Sequence, residues 1–154
     1  MKDWREAPVF GAPTAGERYT VRPSAFGLIA DGHGRLAMAR TPQGITLPGG
    51  GIEEGETPAQ AIRREAIEEV GLIVRVGPWA IRAVQFTYSE SDRAHYEKWS
   101  TFLDAVVEAV AHSGTEADHE LVWMAPATAA EVLASESHRW AVESWRQLNS
   151  ASRR

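Results

Sequence analysis

Apolar and polar positions change rhythm several times along this chain, and each change marks a predicted element. Residues 1–18, broken by Pro8, Gly11, Pro13 and Gly16, sustain no period and are expected to form an irregular arm. Phe26-Gly27-Leu28-Ile29-Ala30 and Arg35-Leu36-Ala37-Met38-Ala39 then form apolar runs on either side of Asp31-Gly32-His33-Gly34, which predicts a hairpin. Ile45-Thr46-Leu47-Pro48 reads as a further strand, ended by the glycines at 49, 50 and 51, with a loop continuing to Gly55. Residues 72–76, 80–88, 99–110 and 120–124 have strand character, and residues 89–98 read as a polar connection. Two helical segments are expected near the end, 127–133 and 137–148, the second with Ala141, Trp145 and Leu148 on one face. The tail, 150–154, is expected to be disordered. Strands and helices interleave without repeat or linker, so a single domain over residues 19–149 with a mixed sheet is expected.

Between these strands lies the helix that carries most of the chemistry. Thr57-Pro58-Ala59-Gln60 supplies a capping threonine, a proline suited to the first turn and the glutamine of a capping box, and Gly71 supplies a stop. Over residues 58–70, at about 100° per residue, Ile62, Ala66, Ile67 and Val70 share an apolar side. Glu65, Glu68 and Glu69 crowd another patch. Like charges at these spacings cost about 0.2–0.5 kcal/mol per pair, which favours a cation between them. Arg64 precedes Glu68 in the order that supports a helix less, so orienting a ligand is the better reading of it.

Composition narrows the choice of chemistry. The chain has 154 residues, 44% of them hydrophobic, enough for one core. It lacks cysteine, which excludes disulfides, zinc-thiolate sites and thiol nucleophiles. Hard oxygen ligands favour Mg²⁺, with Mn²⁺ as an alternative. A net charge of −5 disfavours long nucleic acid but not a small phosphorylated molecule. No apolar run reaches the length of a membrane span, and the first twenty residues do not read as a signal peptide. A cytoplasmic protein without membrane contact, monomeric or homodimeric, is expected.

Taken together, Gly50, Glu56 after five intervening residues, and Arg64-Glu65-Ala66-Ile67-Glu68-Glu69-Val70-Gly71-Leu72 after seven more resemble the signature box of the Nudix hydrolase superfamily. The flanking Leu47-Pro48-Gly49 is also similar. Ala66 is smaller than the usual aliphatic there. The resemblance implies an α/β fold, an α/β/α sandwich with a mixed β-sheet. It further implies metal-dependent hydrolysis of a phosphoanhydride in a nucleoside diphosphate linked to another group. On the matched positions it makes Glu68 and Glu69 principal metal ligands, Glu65 a ligand or base, and the Gly50 carbonyl a further ligand. Arg64 would orient the glutamates and Glu56 would brace the start of the helix.

Outside the box, Glu116, Asp118 and Glu120 are candidates for an additional ligand or base, because members of that family place one in this region. A solvated acidic loop is the plain alternative. His119 could serve as an acid or base near neutral pH, but a lone histidine in a polar loop is usually just exposed. Phe86, Tyr88 and Tyr96 have faces that stack on bases, although packing is their commoner fate. Tyr88 stands where dinucleoside-polyphosphate members often carry tyrosine. Arg22, Arg40 and Lys98 could meet phosphate, with Arg40 best placed at a strand end near the glycines. Three competing readings are a nucleotide sensor, an isoprenyl diphosphate isomerase and an interaction surface on the last helix. The three carboxylates argue against the first, the missing cysteine against the second, and burial of Trp140 and Trp145 against the third.

Overall fold

In the computed structural model, which describes residues 4–111 and 115–152, β-strands dominate and three helices cover the two sides of one sheet. The strands are β1 (Val9–Phe10), β2 (Tyr19–Ala30), β3 (Leu36–Thr41), β4 (Gly44–Thr46), β5 (Gly49–Gly51), β6 (Leu72–Ser89), β7 (Ala94–Val110) and β8 (Glu120–Met124). The helices are α1 (Pro58–Glu65), α2 (Pro126–Val132) and α3 (Glu136–Ser152). The strands order as β1-β6-β7-β2-β3-β4, with β5 paired to β2 and β8 to β3. Parallel β2/β7 and β1/β6 pairs beside antiparallel neighbours make the sheet mixed.

Burial of both faces of β2 follows from its central place. Ala25 and Ile29 pack with Ala61, Ile62, Ala66 and Val70 of the helix, whereas Phe26 and Leu28 pack with Ala129 of α2, Leu133 just after it, and Ala141, Val142 and Trp145 of α3. This alternation is the period of a strand, and it separates the sandwich into two apolar layers. Gly27 allows close approach, since a Cβ there would stand 3.0 Å from Ile62 Cγ2.

Several expected elements have different bounds or forms. The three glycines do not merely end a strand. They form β5, whose Gly49, Gly50 and Gly51 pair with Phe26, Ala25 and Ser24. Residues 89–98 are not a long connection, because β7 begins at Ala94 and a tight turn passes through Arg93 at φ 51. Residues 72–76 and 80–88 are one strand, with a register irregularity between Val76 and Ala80. The amino-terminal arm contributes a turn of 3₁₀ helix, Trp4–Glu6, and β1, held in parallel with Val84 and Gln85. Its residues 1–3 lie outside the described residues. At the other end α3 runs through 150–152, in place of the expected disorder, and residues 153–154 lie outside the described residues. Within α3, Ala141 and Trp145 are buried, but Leu148 is 38% exposed. Among the described residues no helix is long and apolar enough to cross a membrane.

Candidate metal centre on the glutamate helix

The capping box forms as the sequence requires: Gln60 N–H donates to Thr57 Oγ1 at 3.1 Å and Thr57 N–H to Gln60 Oε1 at 2.8 Å. The regular α-helix ends at Glu65, however, and Ala66–Val70 form a π-helical turn. A π turn widens the helix by one residue and is common at functional sites. Gly71, at φ 67, then stops it, its N–H donating to Ile67 O at 3.1 Å. Ile62, Ala66 and Val70 are buried as expected, while Ile67 is only partly so.

Arg64 is the hub of the carboxylates. Its Nε donates to Glu56 Oε2 at 2.8 Å and its Nη2 to Glu56 Oε1 at 2.9 Å, a bidentate fork. Its Nη1 donates to Glu65 Oε1 at 2.9 Å and Glu68 Oε2 at 3.3 Å, and Nη2 also reaches Gly51 O at 3.2 Å. Glu56 Oε1 further accepts from Glu53 N–H at 3.0 Å, so Glu56 links the loop to the helix. The hydrogen bonds that Arg64 donates hold the Glu56 carboxyl down at about 2, and the same bonds push the Arg64 guanidinium higher still.

Glu69 does not bond Arg64 but stands beside Glu65. It is 7% exposed, and Gly49 N–H donates to its Oε1 at 2.7 Å. Burial pushes its pKa up to about 8 against the Gly49 hydrogen bond, with Glu65 and Glu116 adding repulsion. Burial also raises Glu65, opposed by Arg64. Carboxylates that resist ionisation together are the electrostatic signature of a site built around a positive charge. The glycines leave the space open: a Cβ on Gly50 would stand 2.9 Å from Glu65 Oε1. An all-oxygen donor set of this kind fits a hard divalent cation.

The loop before β8 folds onto the same end of the helix, its Glu116 N–H donating to Glu68 O. His119, which the sequence leaves as an exposed loop residue or an acid or base, lies beside Glu69. Its Nε2 stands 3.6 Å from Glu69 Oε2, and its Nδ1 is 3.0 Å from Glu116 Oε2 and 2.8 Å from Asp118 Oδ1. Glu116, Asp118 and His119 thus form a second cluster of possible metal ligands. Their spacing within one turn ahead of a strand was the available signal. Glu120 does not join them, because its carboxylate pairs with Arg40 at 3.3 Å.

A cavity of about 650 Å³ opens beside Arg64 and Glu65, bordered by Arg22, Gly51, Glu53 and Tyr96. Arg22 lies over the Tyr96 ring at 5.1 Å, and both residues contact Asp92. Tyr88 does not border this cavity. It is 46% exposed and packs on His95, 4.8 Å between ring centroids, near Tyr19 and Phe86.

Comparison with known proteins identifies the family and the fold. The family model described as NUDIX domain matches residues 20–145. A solved NUDIX hydrolase from Nitrosomonas europaea superposes with a TM-score of 0.62 at 15% identity, covering 83% of this chain and 90% of that one, a likeness of fold. An RNA pyrophosphohydrolase of Photobacterium profundum is 47% identical over 53 residues, 33% of this chain and 30% of that protein. An 8-oxo-dGTP diphosphatase of Haemophilus influenzae is 34% identical over 55 residues, 32% of this chain and 40% of that protein. The similarity thus spans less than half the length of either relative.

Proposed function

This chain belongs to the NUDIX domain family, and we propose that it is a Mg²⁺-dependent hydrolase of a phosphoanhydride bond in a nucleotide or nucleotide conjugate. The observation that carries this reading is the Arg64 hub, whose single guanidinium gathers Glu56, Glu65 and Glu68 beside a buried Glu69. The names of the two relatives, a pyrophosphohydrolase and a diphosphatase, support the same bond type. A small nucleotide suits the chain better than a long polyanion, given its net charge of −5.

In this reading Glu65, Glu68, Glu69 and the Gly50 carbonyl hold the cation, with Glu116 and Asp118 as candidates for a further ligand. Mn²⁺ fits the same oxygens. When bound, such a cation neutralises diphosphate charge and lowers the pKa of water. The protein's own groups do the rest. Arg64 orients Glu65 and Glu68, Glu56 fixes Arg64, and Gly49 N–H fixes the rotamer of Glu69. Glu65, desolvated but still hydrogen-bonded, is suited to accept a proton as water attacks phosphorus. His119 orients Glu69 from the other side. Arg22, beside Gly51 and Glu65 in the cavity next to Arg64, is better placed than Arg40 to meet a phosphate.

Chromatographic identification of products from a nucleotide panel, with Mg²⁺ and with chelator, tests the proposal. Metal-dependent appearance of mono- or diphosphate products is expected. Intact nucleotides throughout, alongside tight nucleotide binding, would replace the hydrolase with a sensor.

A further inference from the structure

Strand β5 is three residues long, and its last pair with β2 is Gly51 to Ser24. On its other side β2 stays paired with β7 as far as Tyr19 opposite His95. Residues 19–22 of β2 therefore have no strand beside them on the β5 side among the described residues, and this open edge borders the cavity beside Arg64 and Glu65. Strands β6 and β7 run on together past that edge, so their turn, residues 90–93, reaches the cavity, and Asp92 lines it.

The turn and Tyr96 hold Asp92 in place. Its N–H donates to Ser89 Oγ at 3.3 Å, and its Oδ2 accepts from the Tyr96 hydroxyl at 2.8 Å. The same oxygen stands 3.7 Å from Arg22 Nη1. Arg22 lies over the Tyr96 ring at 5.1 Å and close against Gly51, where a Cβ would stand 3.1 Å from its Nε. Gly51 thus brings two guanidiniums together: its carbonyl accepts from Arg64 Nη2 at 3.2 Å, and its bare Cα admits Arg22.

The two cations differ in what they have left to offer. Arg64 is engaged by Glu56, Glu65 and Glu68. Arg22 has a looser partner in Asp92, beyond hydrogen-bond distance and with both side chains 44% exposed. The charge of Asp92 also reaches Lys98, which pairs with Arg22 across β2 and β7. Burial lowers the Lys98 pKa, Arg22 adds to that, and Asp92 opposes it.

We propose that Asp92 is a built-in competitor for the anion that Arg22 receives: in the free protein its carboxylate stands in for a substrate phosphate, and on binding Arg22 exchanges one for the other. The proposal rests on the reading that a phosphate meets Arg22, and it adds a control on that contact. A carboxylate that fixed Arg22 for a ligand would grip it in a close fork, as Glu56 grips Arg64 at 2.8 and 2.9 Å. One contact at 3.7 Å leaves Arg22 free to turn, while the charge of Asp92 repels the arriving anion.

Methylenediphosphonate, whose P–C–P bridge is not an anhydride, tests this by calorimetric titration of the full chain with Mg²⁺ at low ionic strength. Asp92→Asn keeps an acceptor for the Tyr96 hydroxyl and removes the charge. It should bind the probe about three- to fivefold tighter than the wild type, the range open to an exposed ion pair. Arg22→Gln should bind more weakly, and in that background Asp92→Asn should lose most of its gain. Unchanged or weaker binding by folded Asp92→Asn, the full gain without Arg22, or no binding by any of the four proteins would each overturn the proposal. An Arg22-dependent gain without turnover of any nucleotide would remove the hydrolase reading and leave the role of Asp92 standing. Metal-dependent turnover without that gain would do the reverse.

Discussion

The backbone N–H of Gly49 donates to Glu69 Oε1 at 2.7 Å, joining a strand residue to a helix carboxylate twenty positions later. The contact depends on β5 lying flat against β2, which only glycine permits at this point. A Cβ on Gly49 would fall 2.1 Å from Ala25 O, and the residue sits at φ +150.

Gly49→Ala and its neighbour Gly50→Ala should therefore fail differently. The first meets fixed backbone and should lose at least about 1–3 kcal/mol of stability, read by denaturant unfolding. The second meets only the end of the Glu65 side chain at 2.9 Å, so it should fold nearly as well while losing turnover. An unperturbed Gly49→Ala would mean that the β2/β5 contact is looser than described.

Arg64→Lys and Arg64→Ala address the hub. Lysine keeps the charge but loses the fork to Glu56 and the simultaneous reach to Glu65 and Glu68, so turnover should fall in both variants. Removing the guanidinium leaves partly buried acceptors unmatched, and Arg64→Ala should cost about 1–3 kcal/mol. It should also change the acid response. Glu56 has a folded-state pKa held near 2 against an ordinary 4.5, so its stabilising effect is complete above 4.5 and lost as pH falls toward 2. Without Arg64 that part of the pH dependence should flatten. An Arg64→Lys protein with wild-type turnover would remove the orienting role.

His138 sets a second acid dependence at a higher pH. Burial, with Lys98 nearby, lowers its pKa to about 3 from 6.5. Between those values only the unfolded chain carries the proton. Stability is then present above about 6.5 and falls with pH at up to about 1.4 kcal/mol per unit. Urea unfolding from pH 7 to 4 should show this slope, and His138→Gln should reduce it. The same slope in both proteins would contradict a neutral buried ring.

These expectations could be drawn because much of the centre is local in sequence. Thr57, Gln60 and Gly71 mark the helix ends through contacts a few residues long, and the spacing of Arg64, Glu65 and Glu68 places them within one turn. What was hidden depends on tertiary contact. Three glycines carry no hydrophobic period, so β5 becomes a strand only where β2 offers its edge. The π turn at Ala66–Val70 has no composition of its own. Residues 89–98 look like a polar loop because β6 and β7 extend as a hairpin with partly exposed polar side chains. His119 gains its place from folding of its loop against Glu68 and Glu69. Arg40 and Glu120 looked like ligand groups separately, but their strands pair them with each other.

The most direct test of the central claim is the turnover of Glu69→Gln beside the wild type, with Mg²⁺ titrated against the best nucleotide of the panel. Glutamine can still accept from Gly49 N–H, so the variant should fold. The account predicts Mg²⁺-dependent hydrolysis by the wild type and a loss of at least about 100-fold in the variant. Near-wild-type turnover by folded Glu69→Gln, or wild-type turnover indifferent to chelation, would contradict it.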